Sequence, residues 1–258
     1  MRRAWGVMTL LLLLLWGSNS AALAQELDLD TFAVANALYE NEEYEAAAQL
    51  YQQLVDEGYE DSRLQYNLAN AYYHSADYGR AILHYRRVLL TNPRDGDVRH
   101  NLNLARDRVV DQFNRSDLNL LESAAQLSNW ITLTEMAFVS LLLWFTWVAA
   151  RLLYRHPRTE RQRTAAQSAL LGVTLLLVLS LFALGNRVYR ERTTPPAVVL
   201  AEQTPVLDAP AVGEPLFLLH SGAEVSITGR EGGWVQVSLP GGELQGWVGE
   251  GEIRPIIP

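Results

Sequence analysis

Asparagine and tyrosine side chains recur in this chain at one fixed distance. Asn36 and Asn70, Tyr39 and Tyr73, and Tyr51 and Tyr85 each stand 34 residues apart. A carboxamide both donates and accepts, so it can hydrogen-bond an extended backbone, and a phenol buries area at little cost in side-chain freedom. The chemistry on offer is recognition. Catalytic chemistry has no comparable footing: His74, His84, His100, His156 and His220 are dispersed without H-E-x-x-H spacing, and no G-x-x-x-x-G-K-[ST] loop or G-x-S-x-G elbow occurs. Cysteine is absent, which excludes disulfides, thiol catalysis and cysteine-ligated metals. Acid pairs such as Glu42 with Glu43 and Glu57 with Asp61 fall on helices expected to be solvated. The residues predict a non-enzyme that needs neither cofactor nor metal.

The 34-residue offset continues through Val34/Leu68, Ala35/Ala69, Ala37/Ala71, Tyr44/Tyr78, Ala47/Ala81 and Leu54/Val88. A period of this length marks stacked helix pairs that cannot bury their apolar faces alone. The second copy runs Asn67-Leu68-Ala69-Asn70-Ala71-Tyr72-Tyr73, then Asp77-Tyr78, Ala81-Ile82 and Tyr85, and closes at Asn92-Pro93. It resembles a tetratricopeptide (TPR) repeat. The first copy, from about Asp28 to Asp61, has Tyr59 where the terminal proline belongs. A third copy begins at Asn101-Leu102, but no second helix of the pattern follows before Phe113, so it reads as a solvating cap.

In TPR folds the first helix of each repeat lines a concave groove. Here that would present Phe32, Asn36, Tyr39 and Glu40, then Tyr66, Asn70, Tyr73 and His74, then His100. These positions suit a peptide or a partner helix. The chain contains no lysine, so the carboxylate-clamp subtype is not expected unless Arg63 or Arg99 substitutes. An alternative role for Asn36 and Asn70 is to tie neighbouring helices together.

Arg2 and Arg3, the apolar run from Val7 to Trp16, and Ala22-Leu23-Ala24 have the order of a secretory signal peptide. Two more apolar stretches, 131–154 and 165–189, are close to the roughly 20 residues a membrane-spanning helix needs. Thr132 and Glu135 have capping-box spacing at the start of the first, and Trp144 and Trp147 supply interfacial or lipid-facing aromatics. Between the stretches lie Arg151, Arg155, Arg158, Arg161 and Arg163, which the positive-inside rule assigns to the cytoplasm. The repeats and the C-terminus are then extracytoplasmic. A net charge of −8 argues against nucleic acid as a partner.

After Pro195-Pro196 the composition turns to short β-branched and apolar runs broken by Gly and Pro. Ala197 to Leu200, Val225 to Thr228, Trp234 to Leu239, Leu244 to Val248 and Ile253 to Ile257 read as strands. Five or six strands in this length predict a small all-β barrel. The order Ser221-Gly222-Ala223-Glu224-Val225, Gly233-Trp234-Val235-Gln236-Val237 and Gly246-Trp247-Val248 resembles a bacterial SH3 (SH3b) domain. Trp234 and Trp247 are expected to fill its core, the other reading being an aromatic ligand surface.

The expected fold class is a multidomain membrane protein: an α-solenoid, a two-helix transmembrane hairpin and a small SH3-like barrel. Its segments are a signal peptide over 1–24, repeats with a capping helix over 25–115, a connector over 116–130, spans over 131–154 and 165–189 around a loop at 155–164, a linker over 190–196 and the β-domain over 197–258. This order resembles BatE-type proteins of the Bacteroides aerotolerance operon. The resemblance implies an accessory role beside von Willebrand A-domain membrane proteins and a MoxR-type ATPase in the bacterial cytoplasmic membrane. Two functions follow as expectations. One is a membrane-anchored scaffold whose groove takes a protein partner; the other is an envelope tether whose SH3b domain touches peptidoglycan.

Overall fold

Asp28, Asp61 and Asp95 each stand one residue before a helix and accept hydrogen bonds from its first free amides. They start α1 (Leu29–Glu40), α3 (Ser62–His74) and α5 (Gly96–Arg106). Between these run α2 (Tyr44–Asp56) and α4 (Tyr78–Thr91). The structure, a computed structural model, describes residues 28–111, 130–153, 159–242 and 244–257. The expected signal peptide lies outside the described residues, as does most of the connector.

Small residues let the helices approach. Ala35, Ala47, Ala48 and Ala71 pack with Tyr51, Leu54, Leu64 and Leu68 in one core; Ala69, Ala81, Ile82, Tyr85, Val88, Val98 and Leu102 form the next. The missing proline after α2 is replaced by another device. Gly58 takes φ +96°, its amide donates to Val55, and the amide of Tyr59 reaches back to Leu54. This left-handed closure ends the helix and leaves Tyr59 buried in the first core.

Two long apolar helices follow, α6 (Leu133–Leu153) and α7 (Glu160–Thr193). Both are long and apolar enough to cross a membrane. Thr132 and Glu135 exchange backbone-to-side-chain hydrogen bonds of 2.8 and 3.1 Å, completing the capping box. Side chains join the two helices to each other. Ser140 and Ser180 share a hydrogen bond of 2.7 Å, and Trp147 donates to Thr174 at 3.0 Å instead of facing lipid. Ser140 and Thr174 also bond carbonyls of their own helices, at Met136 and Leu170, so each hydroxyl links one helix to the other while satisfied within its own. Helix α7 is also longer than expected: it takes in Arg161 and Arg163 from the arginine segment and runs past 189 to Thr193. At 1.5 Å per residue it measures about 51 Å, beyond the hydrocarbon thickness of about 30 Å.

Three residues after α7 the chain enters a seven-stranded antiparallel sheet: β1 (Pro196–Val199), β2 (Gln203–Leu207), β3 (Pro215–His220), β4 (Glu224–Glu231), β5 (Trp234–Ser238), β6 (Gln245–Gly249) and β7 (Ile253–Pro255). The order across it is β3-β2-β6-β5-β4-β1-β7. The sheet is open, not the closed barrel expected from strand count. Closure would need β3 to meet β7, but β7 is three residues long, ends in proline, and gives the carbonyls of Pro255 and Ile256 to Arg87 at 3.3 Å. Strands β2 and β3 were not among those read from the sequence. Pro205 interrupts the first, and Pro215-Leu-Phe-Leu-Leu lacks polar alternation. Proline is tolerated in β2 because that strand is fully paired only with β3 and meets β6 at Leu207 alone.

The sheet docks on the helices. Val198 and Ile256 are fully or almost fully buried in the second helical core, beside Ile82, Leu102 and Ala105. The sheet therefore covers α4 and the C-terminal end of α5, while Asp97, His100, Asn103 and Leu104 of α5 stay exposed.

Candidate functional site

The 34-residue repeat places one hydrogen-bonded trio twice. The Tyr51 hydroxyl donates to the side-chain oxygen of Asn36 at 2.5 Å, and Asn67 donates to the same oxygen at 3.0 Å. In the next repeat the Tyr85 hydroxyl donates to Asn70 at 2.5 Å and Asn101 to Asn70 at 3.2 Å. The carboxamide oxygens expected in the groove are thus engaged in tying first helix to second helix and to the first helix of the following repeat. Burial pushes the Tyr51 hydroxyl up to about 12 and raises Tyr85 further, so both phenols stay protonated donors.

The remaining groove positions divide into two groups. Phe32 packs on Tyr51 at 5.7 Å between ring centres, and Phe32 and Tyr66 line a cavity of about 360 Å³ with Arg63 and Asn92. At the opposite ends of α1 and α3, His74 stacks on Tyr44 at 4.6 Å and meets Tyr39 and Tyr73 edge-on at 5.8 and 5.6 Å. Tyr78 extends this cluster from Tyr73 at 5.6 Å. Glu40, His74 and His100 are exposed. Tyr44 and Tyr78 were visible in the sequence only as repeat partners; their place at the first turn of each second helix brings them beside the groove.

Neither candidate for a carboxylate clamp is presented to this face as a free cation. Arg63 is held by Asp61 at 3.0 Å, and Arg99 lies over the Trp130 ring at 4.1 Å. His84, a residue given no role from sequence, is 2% exposed, with its Nδ1 2.6 Å from Gln65 and its ring stacked on Tyr72. Burial, aided by the charges of Arg87 and Arg80, lowers it to about 3, so it is neutral in the folded protein. Among the described residues no group of three or more His, Asp or Glu side chains could hold a metal ion.

In the sheet, Val235, Val237 and Val248 fill the core with Val199, Val206 and Leu219. Trp234 and Trp247 do not. Both are half-buried on the opposite face, Trp247 facing Gln236 across the ladder and Trp234 two residues from Gln236 on the same strand. The strand alternation that buries the valines turns the tryptophans outward.

The docking surface was not legible in the motifs. Glu224 receives Arg106 at 2.6 and 3.0 Å and Arg86 at 3.3 Å, and Asp111 accepts from the His220 amide at 2.5 Å. Gly79 sits against the turn at Ser221 and Gly222, where a Cβ would lie 3.0 Å from the Gly222 nitrogen.

The tetratricopeptide repeat family model matches residues 38–102. This segment is accordingly a TPR array, a class of module that in general binds proteins and is not enzymatic. No curated protein matches the chain.

Proposed function

We propose that the chain is a membrane-anchored scaffold that captures a protein partner on the first-helix face of its TPR array. The observation that carries this reading is the placement of the sheet. It occupies α4 and the end of α5; of the aromatic cluster, Tyr73 packs on the core that the sheet joins, while Tyr39 packs on the first core and His74 is exposed. A histidine amid four tyrosines offers flat, partly exposed surface to an incoming peptide or helix. The order of TPR array, apolar hairpin and C-terminal β-domain resembles BatE-type proteins. On that resemblance the partner is a von Willebrand A-domain membrane protein working with a MoxR-type ATPase. The repeats and sheet then lie outside the cytoplasmic membrane, with the arginine segment inside.

A second reading rests on the outward tryptophans. Trp234 and Trp247 together form an aromatic surface of the kind that meets a sugar or a proline-rich chain, which keeps a peptidoglycan tether in view. The test is a crosslinking pull-down from native membranes with Tyr39→Ala, Tyr73→Ala and His74→Ala combined, set against Trp234→Ala with Trp247→Ala. Loss of the membrane partner in the first set alone supports the scaffold. Loss of wall association in the second set alone supports the tether.

A further inference from the structure

A separate site lies on the second helices. Between α2, α4 and the sheet is a cleft of about 950 Å³ whose walls carry opposite charge. Glu45, Asp56 and Glu57 stand on the α2 side; Arg80, Arg87 and Arg254 stand on the side of α4 and β7. Arg80 is paired with Asp77 at 2.6 Å. Arg87 and Arg254 are not so paired: their donors go to backbone carbonyls, those of Pro255 and Ile256 for Arg87 and those of Gly251 and Ile253 for Arg254. Among the described residues neither forms an ion pair with a carboxylate. Burial lowers the pKa of the Arg87 guanidinium and the charge of Arg254 adds to that, while Glu60 acts in the other direction. An anion between the two guanidinium groups would relieve their repulsion.

The opposite wall narrows the choice of anion. A phosphate would meet the arginines but face three carboxylates across the cleft. A ligand with both signs of charge satisfies both walls. Gln49 on α2 adds a side-chain amide that can bond a peptide backbone, Gln52 and Gln53 orient Asp56 and Glu57 by donating to them at 2.8 and 2.9 Å, and the half-buried ring of Tyr72 provides an apolar floor. We propose that this cleft binds a short peptide with a free C-terminal carboxylate and an internal ammonium group, the carboxylate meeting Arg87 and Arg254 and the ammonium meeting Asp56 and Glu57.

The proposal does not depend on the aromatic groove. It is tested on the full chain in lipid nanodiscs by calorimetric titration with acetyl-Ala-Lys-Ala-Ala bearing a free carboxylate. The comparison ligands are the same peptide amidated, the peptide with norleucine for lysine, and inorganic phosphate. The free acid should bind, and amidation, norleucine replacement or Arg254→Gln should each weaken it about tenfold. Arg254 bonds only to its own segment, so the variant should keep the parent unfolding temperature, and the groove substitutions should leave peptide binding unchanged. The proposal is overturned if the free acid fails to bind at millimolar concentration, if amide and acid bind alike, if Arg254→Gln has no effect, or if phosphate binds as tightly as the peptide.

Discussion

Arg106, in the last turn of α5, grips both carboxylate oxygens of Glu224 at 2.6 and 3.0 Å across 118 residues of sequence. The side chains are 20% and 15% exposed, so the pair is largely withdrawn from water. It fastens the β-sheet to the end of the solenoid, and Arg86 adds a second cation to the same carboxylate. Array and sheet are therefore expected to unfold together.

Removing that carboxylate should separate them. Glu224→Ala leaves Arg86 and Arg106 without their shared partner, a loss of about 2–4 kcal/mol for a mostly buried pair. Chemical denaturation of the variant should show two transitions where the parent shows one. A single unshifted transition would contradict the docking.

Gly79→Ala gives a sharper version of the same test. Alanine is better than glycine in a helix by about 1 kcal/mol, so α4 taken alone would gain stability. In the intact chain the added methyl overlaps the Ser221 hydroxyl and crowds the Gly222 and Val199 backbone, so the turn must shift. The variant should be less stable than the parent by thermal unfolding, against the direction that helix propensity alone predicts.

The repeated trio makes Asn36 and Asn70 structural. Asn70→Ala leaves the Tyr85 hydroxyl without its acceptor and Asn101 with only the Tyr66 hydroxyl, and should cost about 1–3 kcal/mol. Equilibrium unfolding measures it, and an unchanged midpoint would return these side chains to a binding role alone.

His84 introduces a pH dependence whose sign is fixed by its burial. Its folded value near 3 lies below the ordinary 6.5, so the unfolded chain binds the proton more readily. The stability it allows is complete above pH about 6.5 and is lost as pH falls toward about 3, at most about 2 kcal/mol of it by pH 5. His84→Gln should flatten that part of the stability profile, as read by denaturation midpoints at pH 7 and pH 5.

The helical array was legible because its period repeats identical contacts. Asn36, Tyr51 and Asn67 recur as Asn70, Tyr85 and Asn101, so a sequence offset becomes a hydrogen-bond pattern. The groove asparagines were found by position but not by role, since the same carboxamide serves a ligand or a neighbouring tyrosine. Strands β2 and β3 escaped because Pro205 and an unalternating Leu-Phe-Leu-Leu run carry no strand signature of their own. The docking of sheet on helices left no motif at all: Gly79, Arg106 and Glu224 are ordinary residues until long-range packing brings them together.

The central claim is that the first-helix face binds while the sheet braces α4 and the end of α5. Photocrosslinking in native membranes tests it most directly, with a benzophenone side chain placed singly at His74, at His100 and, for comparison, at Leu218 on the exposed edge strand β3. The account predicts adducts with one membrane protein from His74 and His100 and none from Leu218. Adducts from Leu218 with none from the two histidines would contradict it.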